Sequence, residues 1–430
     1  AGAVPVCLCG GSAETIPAAE QHLPANLCPL IKSTYGFSVL KSNPFLEMAP
    51  LIVAETTCDG KKKMYERLGE RYPMYVLELP QKPLRASGLR SWEEELQRFK
   101  AELETRFSVS ITDERLREAI GVMNTERRLR RALAELMKRD RPPLTGRQLL
   151  ALKSSISGIP AELEALETTL ATLGAREGPP EYGERVRVLM TGVPMVQGAE
   201  WVLELVEQRG GLVVCLESCT GVKPILDDVR EDAPDPVAAL AEKYYHLPCS
   251  VMSPNEDRLA LLRRLARDYR ADCIVDLVWQ ACLTYDVESY AIKRLAEDEL
   301  GLPFLHIGTD YSVADSARVE VRVDALFESV RPLGRSARSA RPHSHVRPSA
   351  VTASHASRSV TASAAAGAMK PAATSPRPAP GGRVGPVNRW SSRRSTTWSR
   401  PSARSRASQQ GMLESALQDL ERTTHFQRFE

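Results

Sequence analysis

The sequence predicts an α/β protein: two regions of parallel sheet, a helical portion between them, and a disordered basic tail. Three observations predict it. Short apolar runs alternate with helical patterns on both sides of a long middle stretch, which implies parallel strands joined by crossover helices. Through the middle stretch, apolar residues recur every three or four positions among charges. After Arg331 hydrophobic periodicity stops.

The first α/β region, residues 1–90, opens with an expected strand near Val4–Leu8 that leads onto Cys9-Gly10-Gly11. Helical material carrying Cys28 follows, then a strand at Leu51–Ala54, a helix opened by Asp59 and Gly60, and a strand at Met74–Leu79 that Pro80 stops. Residues 91–180 read as helical, since SWEEELQRFKAELETRF and TDERLREAIGVMNTERRLRRALAELMKRD both carry the amphipathic spacing. Thr112 is a candidate N-cap for the second of these, with Asp113 and Glu114 favouring its positive end. Its arginines read as a solvated face. The second α/β region, residues 181–330, starts with a strand at Val186–Met190 that passes through Thr191-Gly192 into a helix after Gln197. The strand in GGLVVCLE, the strand Cys273–Trp279 behind a helix, and a last strand in PFLHIGTDYS complete it. Residues 331–410 are Ser, Ala, Arg and Pro, the composition of a disordered segment. Within the closing stretch 411–430, Gly411–Thr423 suits one short helix.

Of 430 residues, 43% are apolar and 26% charged, enough to bury real cores. No apolar run is long enough to span a membrane, and no signal-peptide pattern opens the chain. Nine cysteines in an α/β pattern do not resemble a small disulfide scaffold. A reducing cytoplasm is the expected compartment, where thiols read as metal or catalytic candidates. The net charge of +3 conceals an asymmetry: Ser329–Leu413 holds fourteen arginines, one lysine and no acid, leaving about −12 for the rest. The basic tail admits a nucleic-acid reading. Its near-absence of aromatics favours instead a solvated extension, or out-of-frame sequence from a GC-rich gene.

Six cysteines are the candidate ligands: Cys28, Cys58, Cys215, Cys219, Cys249 and Cys282. Most stand where an apolar strand gives way to a loop or helix, as in PLIVAETTC, GLVVCLESC and DCIVDLVWQAC. In a parallel sheet those are the carboxyl ends of strands, where ligands bind. Several thiolates at one edge suit an iron–sulfur cluster or zinc. The spacings are long and contain no C-x2-C pair, which argues against a zinc knuckle. Cys273, Cys7 and Cys9 read as core residues. Glu55 and Glu217, beside candidate cysteines, are candidate proton donors, with salt-bridged roles as the alternative. Thr191-Gly192 and Gly198 could cradle phosphate, although a plain strand–helix turn explains them as well. No Walker motif occurs, so ATP hydrolysis by this chain is not expected.

Taken together, LCGGSAETIPAAEQHLPANLCPLIKSTYGF, ETTCDGKKKMYERLG, TGVPMVQGAEWVLELVEQRGG, CLESCTG and ACLTYDVES…TDYSVAD resemble the 2-hydroxyacyl-CoA dehydratase family, closest to its double-cubane-cluster branch. The resemblance covers about residues 1–328. It implies two flavodoxin-like domains with a helical portion and an oxygen-sensitive cluster between them. It places the three cysteines of a [4Fe–4S] dehydratase at Cys28, Cys58 and Cys282, and maps the additional ligands of an [8Fe–9S] double cubane to Cys215, Cys219 and Cys249. It further implies a homodimer, a small-molecule or acyl-CoA substrate, and a separate ATP-hydrolysing [4Fe–4S] activator that supplies low-potential electrons. Family members carry residues ahead of AGAVPV and end soon after the closing signature, in which Ala317, Arg318, Val321 and Leu326 replace Gly, Gln, Thr and Phe here. The leading expectation is an iron–sulfur reductase or dehydratase component. The alternatives are a [4Fe–4S] 2-hydroxyacyl-CoA dehydratase subunit that eliminates water through a ketyl radical, and a truncated or frameshifted non-catalytic remnant.

Overall fold

Two short strands, β1 (Ile52–Glu55) and β2 (Met74–Leu77), pair in parallel in the computed structural model, which describes residues 3–152 and 158–337, with side chains through Val330. The helices α1 (Pro29–Leu40) and α2 (Asp59–Gly69) bury Ile31, Tyr35, Met64 and Leu68 in the same core as Ile52 and Ala54. The helical portion follows as α3 (Ala86–Phe107), α4 (Asp113–Glu135) and α5 (Pro160–Gly174). Thr112 caps α4 as expected, its hydroxyl accepting from Arg115 N–H at 3.3 Å.

The larger sheet alternates strand and helix: β3 (Val186–Gly192), α6 (Trp201–Gln208), β4 (Gly211–Glu217), α7 (Pro236–Tyr245), α8 (Glu256–Asp268), β5 (Cys273–Trp279), α9 (Leu283–Arg294), β6 (Phe304–Thr309) and α10 (Ser316–Ala337). Every pairing is parallel and the order is β4-β3-β5-β6. All seven residues of β3 and of β5 are buried, which explains their nearly unbroken apolar runs. On one face, Val188, Met190, Val275 and Leu277 share a core with Val202 and Val206 of α6 and Val323 and Phe327 of α10. On the other, Leu189, Leu212 and Ile274 pack with Leu261, Leu262 and Leu265 of α8. The first of these cores also takes the buried side chains of α1 and α2, so it spans both sheets.

Strand addition reverses between β3 and β5, because β4 lies on one side of β3 and β5 on the other. Connections there diverge and open a crevice at the carboxyl ends of the strands. Gly192 ends β3 at φ +114°, and a Cβ on it would stand 2.0 Å from the Leu277 carbonyl oxygen. Only glycine permits that approach of two strand ends.

Three expectations change. Val4–Leu8 is irregular and its valines are exposed, since neither sheet offers the segment a ladder partner among the described residues. The arginines of α4 are not a solvated face. Arg127 and Arg130 are buried, Arg130 pairs with Glu126 at 2.6 Å, and Arg128 and Arg131 bind Asp228 from the loop after β4. Acids beyond the helix thus turn its basic face into a docking face. Helix α10 runs past Val330 through Ala337, into the stretch expected to be disordered. The rest of the expected tail, with the short helix in 411–430, lies outside the described residues.

Candidate functional site

Three of the candidate cysteines occupy the same structural position. Cys28, Cys58 and Cys282 are the N-cap residues of α1, α2 and α9. A helix leaves its first N–H groups without intrahelical partners, and its dipole favours negative charge there. Sulfur stands here where a Ser or Asp oxygen commonly does. None of the three thiols makes a capping hydrogen bond, yet the N–H groups of Leu30 and Ile31 favour the charged form of Cys28, those of Gly60 and Lys61 that of Cys58, and that of Tyr285 that of Cys282. Pro29 at the first helical position fits this start, as it has no N–H to satisfy. The thiols of Cys28 and Cys282 act on each other, and Cys58 lies within electrostatic reach of both. The Cys282 thiol lowers the pKa of Cys28 and, with the backbone N–H groups, outweighs burial. The same contact, then burial, pushes Cys282 up, and burial raises Cys58.

A second pair stands beside these. Cys219 is exposed in the turn after β4, and Cys249 precedes Ser250 in the loop after α7. Burial, then the neighbouring Cys219, raises the Cys249 thiol. Both cysteines act on Tyr285, which lies in the first turn of α9, three residues after Cys282. One tyrosine thus links the two thiol groups.

Cys215 is not brought to this place. It is 2% exposed inside β4, in the core with Leu212, Val214 and Ile274. The physical reason is a bulge: Val188 pairs with Val213 and Leu189 with Cys215, so Val214 is an extra residue. The bulge puts Val214 and Cys215 into one core and re-aims the end of the strand. Cys273 is core, as expected, and burial pushes its thiol up. Cys7 and Cys9 are exposed rather than core. Gly10 N–H donates to Thr34 Oγ1 at 2.9 Å, the Tyr311 hydroxyl donates to the Gly10 carbonyl at 3.0 Å, and a Cβ on Gly11 would meet the Gln197 carbonyl at 2.0 Å. These contacts draw Cys9 toward Glu55, Lys61 and Tyr311, and Tyr311 also feels Cys28. Sequence reasoning passed over Cys9; the glycine pair behind it, needed for close backbone approach, is the signal that could have found it.

The two acidic candidates differ sharply. Glu217 ends β4 fully buried, with its carboxylate 2.8 Å from Lys223 Nζ and 3.3 Å from Arg258, and it accepts from Thr191 Oγ1 at 2.5 Å. Burial favours the neutral acid, but Lys223 and Arg258 outweigh it and hold the pKa below the ordinary carboxylate value. Glu217 is therefore ionised at neutral pH. Glu55 ends β1 half-exposed, 2.6 Å from Lys61 Nζ. Nearby, burial lifts the Asp276 carboxyl to about 6, against a hydrogen bond from Ser289. The Thr191 hydroxyl is taken up by Glu217 and Gly198 N–H by Glu200, as in a plain strand–helix turn.

The chemistry of the donor set can be tested against a bound group. Tyr285 is buried, with Arg258 stacked 4.7 Å from its ring centroid, and its hydroxyl has no hydrogen-bond partner among the described residues. An orphaned buried hydroxyl beside Cys219 and Cys249 fits an acceptor supplied by something bound between the thiols. No three His, Cys, Asp or Glu side chains among the described residues are placed to share one metal ion. A sulfide-bridged group would be held by separate thiolates at separate iron atoms and does not require three side chains on one ion. A cavity of about 590 Å³ opens at the carboxyl ends of β5 and β6, lined by Gln280, Ala281, His306, Thr309, Asp310 and Arg318 among others. No helix among the described residues is long and apolar enough to cross a membrane.

Comparison with known proteins agrees with this architecture. Residues 1–330 match the family described as 2-hydroxyglutaryl-CoA dehydratase, D-component. The chain is 41% identical over 333 residues, 76% of its own length and 86% of the relative's, to YjiM of Escherichia coli (strain K12), a protein provisionally named as a dehydratase subunit. On the extent of these matches, the chain belongs to the 2-hydroxyglutaryl-CoA dehydratase D-component family.

Proposed function

We propose that the chain is an iron–sulfur component of a 2-hydroxyacyl-CoA dehydratase-type system, which reduces or dehydrates a small-molecule or acyl-CoA substrate. The shared position of Cys28, Cys58 and Cys282 at helix N-termini, within electrostatic reach of one another, carries this reading. Cys28, Cys58 and Cys282 hold one part of the cluster, Cys219 and Cys249 extend it, and Cys9 takes the sixth place in preference to Cys215. Six thiolates suit an [8Fe–9S] double cubane better than the three of a [4Fe–4S] dehydratase subunit. The bound cluster supplies single-electron chemistry at low potential.

The chain's own residues do the rest. Helix N-termini stabilise the thiolates, and Tyr285 offers its hydroxyl as donor. The cavity at the carboxyl ends of β5 and β6, which Ala281 lines, gives a substrate room, with Gln280 and Thr309 as hydrogen-bonding groups and Arg318 as a cation. Without a Walker motif the chain depends on a partner for ATP-driven electrons. The proposed partner is an ATP-hydrolysing [4Fe–4S] activator, and a homodimer is the proposed assembly.

Paired substitutions test the ligand set. Cys9→Ser is expected to lower the iron bound per chain and Cys215→Ser to leave it unchanged, read after purification without oxygen. Iron lost from C215S and kept by C9S would reverse the assignment.

A further inference from the structure

We propose that Lys61 and Glu55 form an opposed charge pair that positions the cluster electrostatically, Lys61 favouring its reduced form and Glu55 its oxidised form. The inference rests on the cluster reading above and adds two positioning residues to it.

Lys61 lies in the first turn of α2, three residues after Cys58, as Glu55 lies three residues before it. Its side chain turns back across the site, with Nζ 2.6 Å from Glu55 Oε1 and 5.7 Å from the centroid of the Tyr65 ring. The ammonium is largely enclosed, at 23% side-chain exposure, where charge is screened less than at the surface. Its charge reaches Cys7, Cys9 and Cys249, which come from the amino-terminal segment and from the loop after α7. Lys61 thus touches α2 through its backbone and thiols of two other segments through its charge. Glu55 reaches Cys7 and Cys9 with the opposite sign.

A cation beside a group that gains an electron stabilises the reduced state, and an anion destabilises it. Removing either partner also unmasks the other. Lys61→Met leaves the Glu55 carboxylate facing the thiols, whereas Glu55→Gln leaves the ammonium uncompensated. The two substitutions therefore act in opposite directions. A pair that only braced the β1–α2 turn would give shifts of the same sign, or none.

The experiment is a redox titration of the full iron-loaded chain and its K61M, K61R and E55Q variants, followed by electron paramagnetic resonance, with iron content measured alongside. The midpoint potential is expected to fall in K61M, rise in E55Q and stay near the parent value in K61R. Loaded variants with equal potentials, or with shifts of one sign, would overturn the charge-pair proposal and leave the cluster reading standing. A folded parent chain without iron would instead overturn the cluster reading and this inference with it. Should K61M fail to take up iron, the loaded E55Q and K61R chains decide: a raised potential in E55Q beside a parent-like K61R is expected, and an unchanged or lowered potential in E55Q would refute the proposal.

Discussion

Glu217→Gln is expected to lower folding stability by about 3–5 kcal/mol, the usual cost of leaving a buried charge without its partner. The substitution keeps the shape of the side chain and deletes its charge. Lys223 and Arg258, at 3% and 1% side-chain exposure, then lose the carboxylate that faces them from 2.8 and 3.3 Å. Glu288 still binds Arg258, but no other ion pair joins Lys223 among the described residues. Arg258 also stacks on Tyr285, so the same change loosens the tyrosine between the two thiol groups. Urea unfolding at neutral pH measures the loss, and a change within about 0.5 kcal/mol, the range of ordinary surface substitutions, would contradict it.

The sign of the pH dependence follows. The folded-state pKa of Glu217 lies below its unfolded value, about 4.3 for a free glutamate. Its contribution is complete above the unfolded value and is lost as pH falls through the lowered folded one. The parent chain should therefore lose stability below about pH 4 by more than E217Q does. Parallel acid profiles for the two proteins would argue against an ionised Glu217.

The second large effect falls on the cluster. Cys28→Ser, Cys58→Ser and Cys282→Ser are each expected to lower bound iron by more than about tenfold, since even changes behind the ligands cost 10–100-fold in metal affinity. Serine is a favoured N-cap residue, so α1, α2 and α9 keep their starts while losing the thiolate. Circular dichroism should accordingly stay near the parent spectrum. Retained iron in all three variants would remove these residues from the ligand set.

Most of the larger sheet was legible because β3, β4 and β5 are buried on both faces and read as continuous apolar runs. VRVLM, GGLVVCLE and CIVDLVW all fall where the sequence put them, within two residues. The Val4–Leu8 run reads the same way yet forms no strand, because apolar sequence cannot report whether a neighbouring strand exists. The arginines of α4 misled for a related reason: their partner Asp228 lies about a hundred residues away in sequence. In the candidate site, the cysteines after β1 and β5 announced themselves by ending apolar runs. Cys215 carried that signal too, but a one-residue bulge, invisible in alternation, places it in the core. Cys9 also followed an apolar run, but that run forms no strand, and tertiary contacts through Gly10 and Gly11 bring the residue in.

The central claim, that these thiols hold an iron–sulfur cluster, is tested most directly by iron and acid-labile sulfide per chain after purification without oxygen. The account predicts about eight irons with a similar amount of sulfide, held by thiolates as such clusters are. A folded chain with neither iron nor sulfide would contradict it.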